Sequence, residues 1–143
     1  MKRNSVKVKI KKLHPNAAIP SYAKTGDAGM DLTSVWKKQE LDLITYGTGL
    51  AVEIPEGYVG LLFPRSSVYK AKMFLTNCVG VIDSGYRGEI MMKFEMMDSK
   101  AMYETGDRIG QIIILPYPQV EFEEVDKLSM TSRSTGGFGS TGN

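Results

Sequence analysis

The chain has 143 residues, of which 42% are hydrophobic and 24% charged, and its net charge is +2. These values are typical of one compact domain with its own core, and they argue against a nucleic-acid coat or a membrane-surface protein. One cysteine and one histidine exclude an internal disulfide and a Cys/His zinc cluster. Because no apolar run is long enough for a bilayer and the basic start lacks the apolar segment of a signal peptide, we expect a soluble, cytoplasmic protein.

Short strands separated by glycine and proline turns are predicted along most of the chain. The predicted strands cover residues 6–11, 50–54, 58–63, 90–96, 112–115 and 120–125. Alternation of apolar and polar residues indicates the first, second and fourth of these, continuous apolar runs indicate the third and fifth, and we interpret residues 120–125 as a last short strand. Only residues 68–73 have a pattern suited to a helical turn or two. Many short strands with regular turns predict an all-β sandwich or barrel.

The two ends of the chain differ in composition from the middle. Residues 1–12 carry six basic side chains and no acidic one. We interpret Lys7, Lys9 and Lys11 as the solvated face of an edge strand, rather than as part of a nucleic-acid arm. Residues 129–143 consist mainly of serine, threonine and glycine, which cannot bury enough apolar surface to order themselves. The prediction is one β domain over residues 1–128, followed by a flexible arm over 129–143.

Several common catalytic arrangements are missing from the sequence. There is no Gly-x-x-x-x-Gly-Lys phosphate loop, and Gly47-Thr48-Gly49 lacks the third glycine of a dinucleotide-binding turn. His14 is the only histidine, so a Ser-His or Cys-His nucleophile would require it. Cys78 stands in an apolar run, and we interpret it as a small buried hydrophobic residue.

Five polar segments that contain glycine or serine remain as candidates for chemistry. They cover residues 26–32, 64–67, 80–89, 106–111 and 133–142. Together they contain arginines, serines, glycines and two well-placed aspartates, a set suited to a polyphosphate that is held with a divalent metal and attacked by an activated water. Within these segments we interpret Asp27 as a turn residue, and Asp107 with Arg108 as a structural pair.

In order and local spelling these segments resemble the homotrimeric deoxyuridine triphosphate nucleotidohydrolase (dUTPase) family. The most specific matches are Gly-Val-Ile-Asp-x-x-Tyr-Arg-Gly-Glu at 80–89 and Arg-x-x-Gly-Gly-Phe-Gly-Ser-Thr-Gly at 133–142. The resemblance implies a jelly-roll-like, distorted β-barrel. It also implies hydrolysis of dUTP to dUMP and pyrophosphate with Mg²⁺, which keeps uracil out of DNA and supplies dUMP for dTMP synthesis. Each active site of the implied homotrimer is shared, taking the first, second and fourth segments from one subunit, the third from a neighbour and the arm from the remaining subunit.

The resemblance also assigns roles near the reacting phosphorus and the base. Asp83 falls on the aspartate that activates the attacking water, and Tyr86 on the aromatic residue that packs under the deoxyribose and leaves no room for a 2′-hydroxyl. Asn77 falls on the residue that reads uracil, together with backbone groups of Val81 and Ile82. A side-chain amide both donates and accepts, so it can match one base edge.

Further roles by resemblance concern the phosphates and the metal. Arg65, Ser66 and Ser67 fall on the second, phosphate-binding motif, and Gln111 on the residue that contacts the α-phosphate. Asp31 falls on the aspartate that assists the metal through its water shell. In the arm, Arg133 would meet the γ-phosphate and Phe138 would stack on uracil, closing over the site. The remaining phosphate contacts would come from Gly139, Ser140 and Thr141.

Three alternatives stay open at this point. A dCTP deaminase shares the expected fold and some motif spelling, and it would release ammonia from dCTP. A binding or regulatory protein that uses the same pocket predicts that Asp83→Asn abolishes turnover but not signalling. A nucleic-acid binder led by the basic start predicts duplex affinity that falls steeply with salt. We expect dUTP as the substrate, no membrane and no nucleic acid as partners.

Overall fold

The computed structural model describes residues 4–142 and is almost entirely β. Within that range the chain forms ten strands and one short helix. The elements in chain order are β1 (Lys9–Lys12), β2 (Met30–Thr33), β3 (Trp36–Glu40), β4 (Leu43–Gly47), β5 (Leu50–Glu53), β6 (Tyr58–Phe63), α1 (Val68–Ala71), β7 (Met73–Leu75), β8 (Gly80–Ile82), β9 (Met91–Met96) and β10 (Arg108–Pro116). The predicted all-β class is confirmed.

The strands form three antiparallel sheets. Strands β1 and β5 make a two-stranded sheet, and two four-stranded sheets have the orders β2-β10-β6-β8 and β3-β4-β9-β7. We name the four-stranded sheets the β10 sheet and the β9 sheet, each after one of its two inner strands. Sequence neighbours β6 and β7 lie in different sheets, and β10 returns to lie between β2 and β6. This order brings residues far apart in the chain to adjacent positions on the β10 sheet.

Alternating apolar side chains from both four-stranded sheets fill the core. In β9 the buried residues are Met92, Phe94 and Met96, while the residues between them are exposed. The rings of Tyr46, Phe94 and Tyr103 pack edge to face with centroids 5.8–6.2 Å apart. The Tyr46 hydroxyl donates to the Tyr103 carbonyl oxygen at 2.7 Å. The buried Tyr46 hydroxyl therefore has a partner, as burial of a polar group requires.

Most predicted strands are confirmed, with boundaries shifted by up to four residues. The predicted strand over 58–63 coincides with β6, and the predicted helical turn at 68–73 contains α1. The strand expected over 120–125 is wrong, because that segment has no strand partner and is exposed. The buried position expected for Cys78 is also wrong, since this residue lies exposed in the turn between β7 and β8 with φ of 61°.

The basic start behaves as an edge strand where it is described. β1 pairs only with β5, and Lys7, Lys9 and Lys11 are all exposed, as predicted. Lys9 pairs with Glu53 at 3.2 Å. Lys2 and Arg3 of the basic start lie outside the described residues, as does Asn143 of the predicted arm. Among the described residues no helix is long and apolar enough to cross a membrane.

Residues 117–142, here called the tail, differ from the rest of the described chain. They contain no strand, and nearly all of them are exposed, including Phe122, Leu128 and Phe138. The accessible surface of the chain is 10836 Å². A compact monomer of this mass exposes roughly 7,300 Å². The excess shows that a single chain leaves much of its surface uncovered, and the tail accounts for part of it.

Candidate active site

Asp31 lies between two arginines on the β10 sheet. Its Oδ1 is 3.3 Å from Arg65 Nε, and its Oδ2 is 3.3 Å from Arg108 Nη1. Asp31 and Arg65 are mostly buried in this contact, whereas Arg108 is more exposed. The predicted pair of Asp107 with Arg108 is therefore wrong. The Asp107 carboxylate instead accepts the Glu104 backbone N–H at 2.7 Å, which is a local turn contact.

Gln111, in β10, lies between the segments 26–32 and 64–67 because β10 runs between β2 and β6. In register it lies opposite Asp31 on one side and Phe63 on the other. Its side-chain amide donates to the Pro64 carbonyl oxygen at 3.2 Å, immediately before Arg65. The structure thus brings Asp31, Arg65 and Gln111 together, as the sequence predicts, on one end of the β10 sheet.

The two serines of the second motif follow Arg65 at the start of α1. Ser67 is the N-terminal cap position of this helix, although its side chain makes no capping hydrogen bond. The Val68 and Lys70 backbone N–H groups donate to the Arg65 and Ser67 carbonyl oxygens, which holds the turn. Ser66 is exposed and Ser67 partly so. Ser66 is therefore the more accessible of the two serines, and both follow Arg65 directly in the chain.

Strand β8 leads to the predicted catalytic aspartate along the edge of the β10 sheet. It pairs only with β6, so one row of its backbone N–H and C=O groups has no partner strand within the described chain. The side chain of Val81 is exposed and that of Ile82 is buried. Ile82 can therefore contribute only backbone groups to a ligand. Asn77 precedes β8 and, with Leu62, Gly80 and Met91, lines a concavity of about 300 Å³.

Asp83 is the first residue after β8, in the turn that continues to Tyr86. The Tyr86 backbone N–H donates to the Asp83 carbonyl oxygen at 3.1 Å, which closes the turn. Asp83 is exposed, and within residues 4–142 its carboxylate makes no ion pair or hydrogen bond. It contrasts with Asp31, whose carboxylate is held by two cations. Asp83 is the carboxylate of the two that is available to a water molecule.

Tyr86 is held in place by its own loop. Its hydroxyl donates to the Glu89 carbonyl oxygen at 2.9 Å, across three residues. A Cβ atom on Gly88 would lie 2.5 Å from the Tyr86 hydroxyl oxygen and 2.6–2.9 Å from its ring, so a larger residue there would have to displace the ring. The Tyr86 residue is 39% exposed. The loop therefore presents part of a fixed aromatic ring to solvent, three residues from Asp83.

The two groups of site residues lie at opposite ends of strand β6. Gln111 is paired with Phe63 at the end of β6, next to Arg65. On the other side Ile82 is paired with Gly60, so Asp83 continues toward Val59. From Val59 to Phe63 the strand extends for about 13 Å. Within one chain, Asp83 and the Gln111 group are too far apart to contact the same phosphorus atom.

The tail forms a separate group of site residues. Arg133 Nε donates to the Gly136 carbonyl oxygen at 2.8 Å, and the Gly136 backbone N–H donates back to Arg133 at 3.0 Å. A concavity of about 700 Å³ is lined by Ser132, Arg133, Gly136, Gly137, Phe138, Gly139, Ser140 and Thr141. Phe138 is fully exposed and has φ of 53°, a conformation that non-glycine residues rarely adopt. The tail thus turns back on itself to present an arginine, hydroxyls and a ring together.

Oxygen donors for a metal are sparse. Among the described residues no group of three or more acidic, histidine or cysteine side chains could enclose an ion. Asp31 lies in a concavity with Asp27, Gly29 and Gln111, so hard oxygen ligands are present but few. The Asp27 carboxylate accepts the Lys24 backbone N–H at 2.9 Å, which confirms its predicted role in a turn. This donor set fits Mg²⁺, which keeps several waters and takes phosphate oxygens from its substrate.

Two residues near the second motif escaped the sequence prediction. Arg108 approaches Asp31 because β10 pairs with β2, and that pairing was not predicted. The Tyr103 hydroxyl is buried without a hydrogen-bond partner in the described chain. Burial raises the pKa of Tyr103, and the nearby Ser67 hydroxyl and Arg65 charge counter part of that rise. Tyr103 could not be identified from sequence, because nothing in residues 101–107 indicates contact with α1.

Comparison with known proteins gives one consistent result. The dUTPase family model matches residues 15–142. A deoxyuridine 5'-triphosphate nucleotidohydrolase of Hydrogenobaculum is 40% identical over 96% of this chain and 99% of its own. The Finegoldia magna protein of the same name is 41% identical over 89% of this chain and 93% of its own.

Solved structures agree in fold. A Staphylococcus bacteriophage 80alpha dUTPase variant with dUpNHpp superposes with a TM-score of 0.84 at 28% identity, covering 97% of this chain and all of that one. The dUTPase of phage phi11 of S. aureus, in a structure described for its coordination of a structural Mg(II) ion, has a TM-score of 0.70 at 27% identity, over 85% of this chain and 98% of that one. The expected jelly-roll-like fold is confirmed by these similarities.

Proposed function

This chain belongs to the dUTPase family and is a dUTP diphosphatase, and from that premise we propose how its residues divide the reaction. Water attacks the α-phosphorus of dUTP and Asp83 takes the proton. The bond from the α-phosphorus to the bridging oxygen breaks, so dUMP and pyrophosphate leave. The observation that carries this proposal is the free Asp83 carboxylate in the same short loop as the fixed ring of Tyr86.

Asp83 suits the role of general base by position. A base must come within hydrogen-bond reach of the attacking water, held by a rigid segment. The turn closed by the Tyr86 backbone N–H and the pairing of β8 with β6 supply that rigidity. Asp31 is less suited, because its two carboxylate oxygens already face Arg65 and Arg108.

Selection of the base and sugar is proposed for Asn77, β8 and Tyr86. The unpaired edge of β8 offers backbone donors and acceptors, including those of Val81 and Ile82, beside the concavity that Asn77 lines. Such groups match uracil and leave cytosine mispaired, which is how a hydrogen-bonding site rejects a close analogue. The flat face of Tyr86 packs against deoxyribose, where a 2′-hydroxyl would clash.

The phosphate contacts are proposed for residues at the other end of the β10 sheet and in the tail. Arg65, Ser66 and Ser67 would stabilise charge that develops on the pyrophosphate, and Gln111 would contact the α-phosphate. Arg133 would meet the γ-phosphate and Phe138 would stack on uracil. Backbone and hydroxyl groups of the tail would supply further donors, from Gly139, Ser140 and Thr141.

Asp31 would hold Mg²⁺ through a water of the ion's shell. The ion neutralises charge on the triphosphate oxygens when it is bound. Contact through water agrees with the ion pairs of Asp31, because its oxygens already face Arg65 and Arg108. A single carboxylate is enough when the substrate supplies the remaining oxygen ligands.

The proposed site also requires more than one copy of the chain. Asp83 must reach a water at the α-phosphorus, and Gln111 must contact that phosphate, yet the two lie at opposite ends of β6. The uncovered surface and exposed apolar tail of the single chain support the same requirement. From Pro116 to Arg133 the chain can extend by roughly 55 Å, enough to reach a neighbouring copy. On the resemblance to the dUTPase family, we propose that the copies form a homotrimer in which one supplies Asp31, Arg65 and Gln111, another Asp83, and the third Arg133.

The direct test is pyrophosphate release from each deoxynucleoside triphosphate and from UTP, with and without Mg²⁺. We expect release from dUTP alone, and Asp83→Asn to lower kcat by about a thousandfold with an unchanged melting temperature. Ammonia release from dCTP, or no pyrophosphate from dUTP, would contradict the proposal. A regulatory role beside catalysis would appear as a partner interaction that survives in Asp83→Asn.

Sharing of the site is tested by mixing two inactive variants. Asp83→Asn lacks the base, and a chain ending at Ser132 lacks the proposed γ-phosphate and stacking contacts. After denaturation and renaturation together, we expect mixed oligomers to regain activity, because some sites then combine an intact Asp83 with an intact tail. Each variant refolded alone is the control. Failure of the mixture to exceed both controls would show that each chain builds its own site.

A further inference from the structure

The Glu89 carboxylate connects the loop of Asp83 and Tyr86 to the beginning of β3. Its Oε2 accepts the indole N–H of Trp36 at 2.7 Å and the Gly49 backbone N–H at 3.3 Å. These partners are distant in sequence and belong to segments outside the five motifs. Glu89 is partly buried, so its hydrogen bonds are less exposed to solvent than those of the neighbouring loop residues.

Gly47 leaves the space in which this contact forms. A Cβ atom there would lie 2.0 Å from the Trp36 ring and 2.2 Å from Glu89 Oε2. The backbone on both sides is fixed as well, since the Ile90 N–H donates to the Leu50 carbonyl oxygen at 2.8 Å. The Glu89 carboxylate and the Trp36 indole therefore pack directly against Gly47, at the end of β4.

A second contact holds the same loop more weakly. Arg87 Nη2 lies 3.4 Å from Glu53 Oε1, and about half of each of these side chains is exposed. Exposed ion pairs of this kind contribute little, whereas a hydrogen bond to a charged, partly buried group contributes more. Of the two contacts, Glu89 with Trp36 is the one able to set the position of the loop.

We propose that Glu89, held by Trp36, is a positioning residue that sets the ring of Tyr86 and thereby the preference for dUTP over UTP. The link is direct, because the Tyr86 hydroxyl donates to the backbone carbonyl oxygen of Glu89 itself. Fixing the Glu89 side chain fixes the peptide that receives this bond. The inference rests on the proposed contact of Tyr86 with deoxyribose.

The test compares kcat/KM for dUTP with that for UTP. In Glu89→Ala we expect the ratio to fall about tenfold, the size of a lost hydrogen bond to a charged group. In Glu89→Gln most of the ratio should be retained, because an amide oxygen can still accept from Trp36 and Gly49. The matched control is Glu95→Ala, at an exposed position of β9. An unchanged ratio in Glu89→Ala, or equal loss for both substrates, would overturn the inference.

Trp36→Phe provides a test if Glu89→Ala does not fold. It keeps an aromatic ring but removes the N–H donor, and we expect the dUTP preference to fall severalfold. An unchanged preference in a folded Trp36→Phe protein would overturn the inference equally. Tyr86→Ala distinguishes a failure of the positioning role of Glu89 from a failure of the proposed contact between Tyr86 and deoxyribose. If Tyr86→Ala lowers the preference but the Glu89 and Trp36 variants do not, only the positioning role is wrong, whereas no change in Tyr86→Ala overturns both.

The contact itself has a spectroscopic readout that does not require activity. The chain has one tryptophan, so its fluorescence reports Trp36 alone. Loss of the carboxylate partner should shift the emission to longer wavelength in Glu89→Ala, because water then reaches the indole N–H. The emission should be unchanged in Glu95→Ala and close to that of the parent in Glu89→Gln. An emission in Glu89→Ala identical to the parent would contradict the contact.

Discussion

The body of the chain, residues 9–116, and the tail, residues 117–142, place their apolar side chains differently. In the body most of the core residues alternate along paired strands, as with the buried Phe94 of β9, although some apolar side chains such as Leu41 are exposed. In the tail Phe122 is 94% exposed and Met130 97% exposed, and no strand forms. A single chain thus completes its core from the body alone. The tail has apolar residues without a surface of its own chain to cover them.

The arginines of the two regions differ in the same way. Arg65 and Arg108 in the body both pair with Asp31. Arg133 in the tail contacts only a backbone carbonyl oxygen within its own turn. Arg65 and Arg108 thus each have a carboxylate partner in their own chain, while the Arg133 guanidinium has none within the described residues. Substitution of an arginine in the body therefore removes an ion pair of the fold, whereas substitution of Arg133 removes no ion pair within the described residues.

The largest expected effect on the unfolding free energy comes from a substitution in the core of the body that leaves the tail unchanged. Phe94→Ala removes a fully buried ring, and we expect it to lower the free energy of unfolding by about 4 kcal/mol. Phe122→Ala is the matched change in the tail. Because its ring has no cover within the chain, the unfolding free energy should change by less than about 0.5 kcal/mol at low protein concentration. Urea unfolding followed by circular dichroism measures both.

If a neighbouring copy covers Phe122, the effect of Phe122→Ala on the unfolding free energy depends on protein concentration. The loss would then grow with protein concentration, because contact between copies stabilises by mass action. A large loss in Phe122→Ala that is independent of concentration would instead show that the tail packs on its own body. That outcome would remove the distinction between the two regions.

The sequence predicts the elements whose pattern reflects burial. Alternation identified the strands later seen as β5 and β9; in β9 one face is buried and the other exposed, while in β5 residues of both faces are buried. The strand predicted over 120–125 shows the limit of this argument. Its alternation of Val120, Phe122 and Val125 with acidic residues resembles that of a half-buried strand, but no partner strand exists for it in the described chain. Alternation of apolar and polar residues indicates that one face of a segment becomes buried. It does not indicate whether the same chain or another chain buries that face.

The sequence predicts which residues contribute to the candidate site, but not which of them form pairs. The order of the motifs identified Asp31, Arg65 and Gln111, and the structure brings these together. The partner of Arg108 could not be predicted, because contact with Asp31 depends on β10 returning beside β2 across 77 residues of sequence. Trp36 and Glu89 are separated by 53 residues and were missed for the same reason. Such contacts follow from sheet order, which local patterns do not contain.

A smaller effect is expected when one arginine of the tail and one of the body are substituted in turn. Arg133→Gln should lower kcat/KM for dUTP by about thirtyfold, the size of a lost charge-assisted contact to phosphate, while the melting temperature stays unchanged. Arg65→Gln should lower both activity and melting temperature, because it also leaves Asp31 with one cation fewer. Steady-state kinetics and thermal unfolding of the two variants check this. Equal melting losses in both would mean that the tail arginine is structural.

The smallest expected effect concerns Tyr46 in the body and the dependence of stability on pH. Burial, followed by the negative charges of Glu104 and Asp107, raises the pKa of Tyr46 well above its ordinary value. The folded chain therefore keeps this proton at a pH where the unfolded chain, with an ordinary tyrosine pKa of about 10, has lost it. Since the unfolded state then binds fewer protons, the unfolding free energy should fall as pH rises above about 10.

Tyr46→Phe tests this sign. At neutral pH it should cost about 1 kcal/mol, because the Tyr103 carbonyl oxygen loses its donor. Above pH 10 the loss of stability should become shallower in the variant than in the parent, without vanishing, because burial raises the pKa of Tyr103 too. Tyr22→Phe, at an exposed position, is the control and should leave the curve unchanged. Urea unfolding from pH 7 to 11 measures the slope, and an equal slope in Tyr46→Phe and the parent would show that burial of this hydroxyl does not govern alkaline stability.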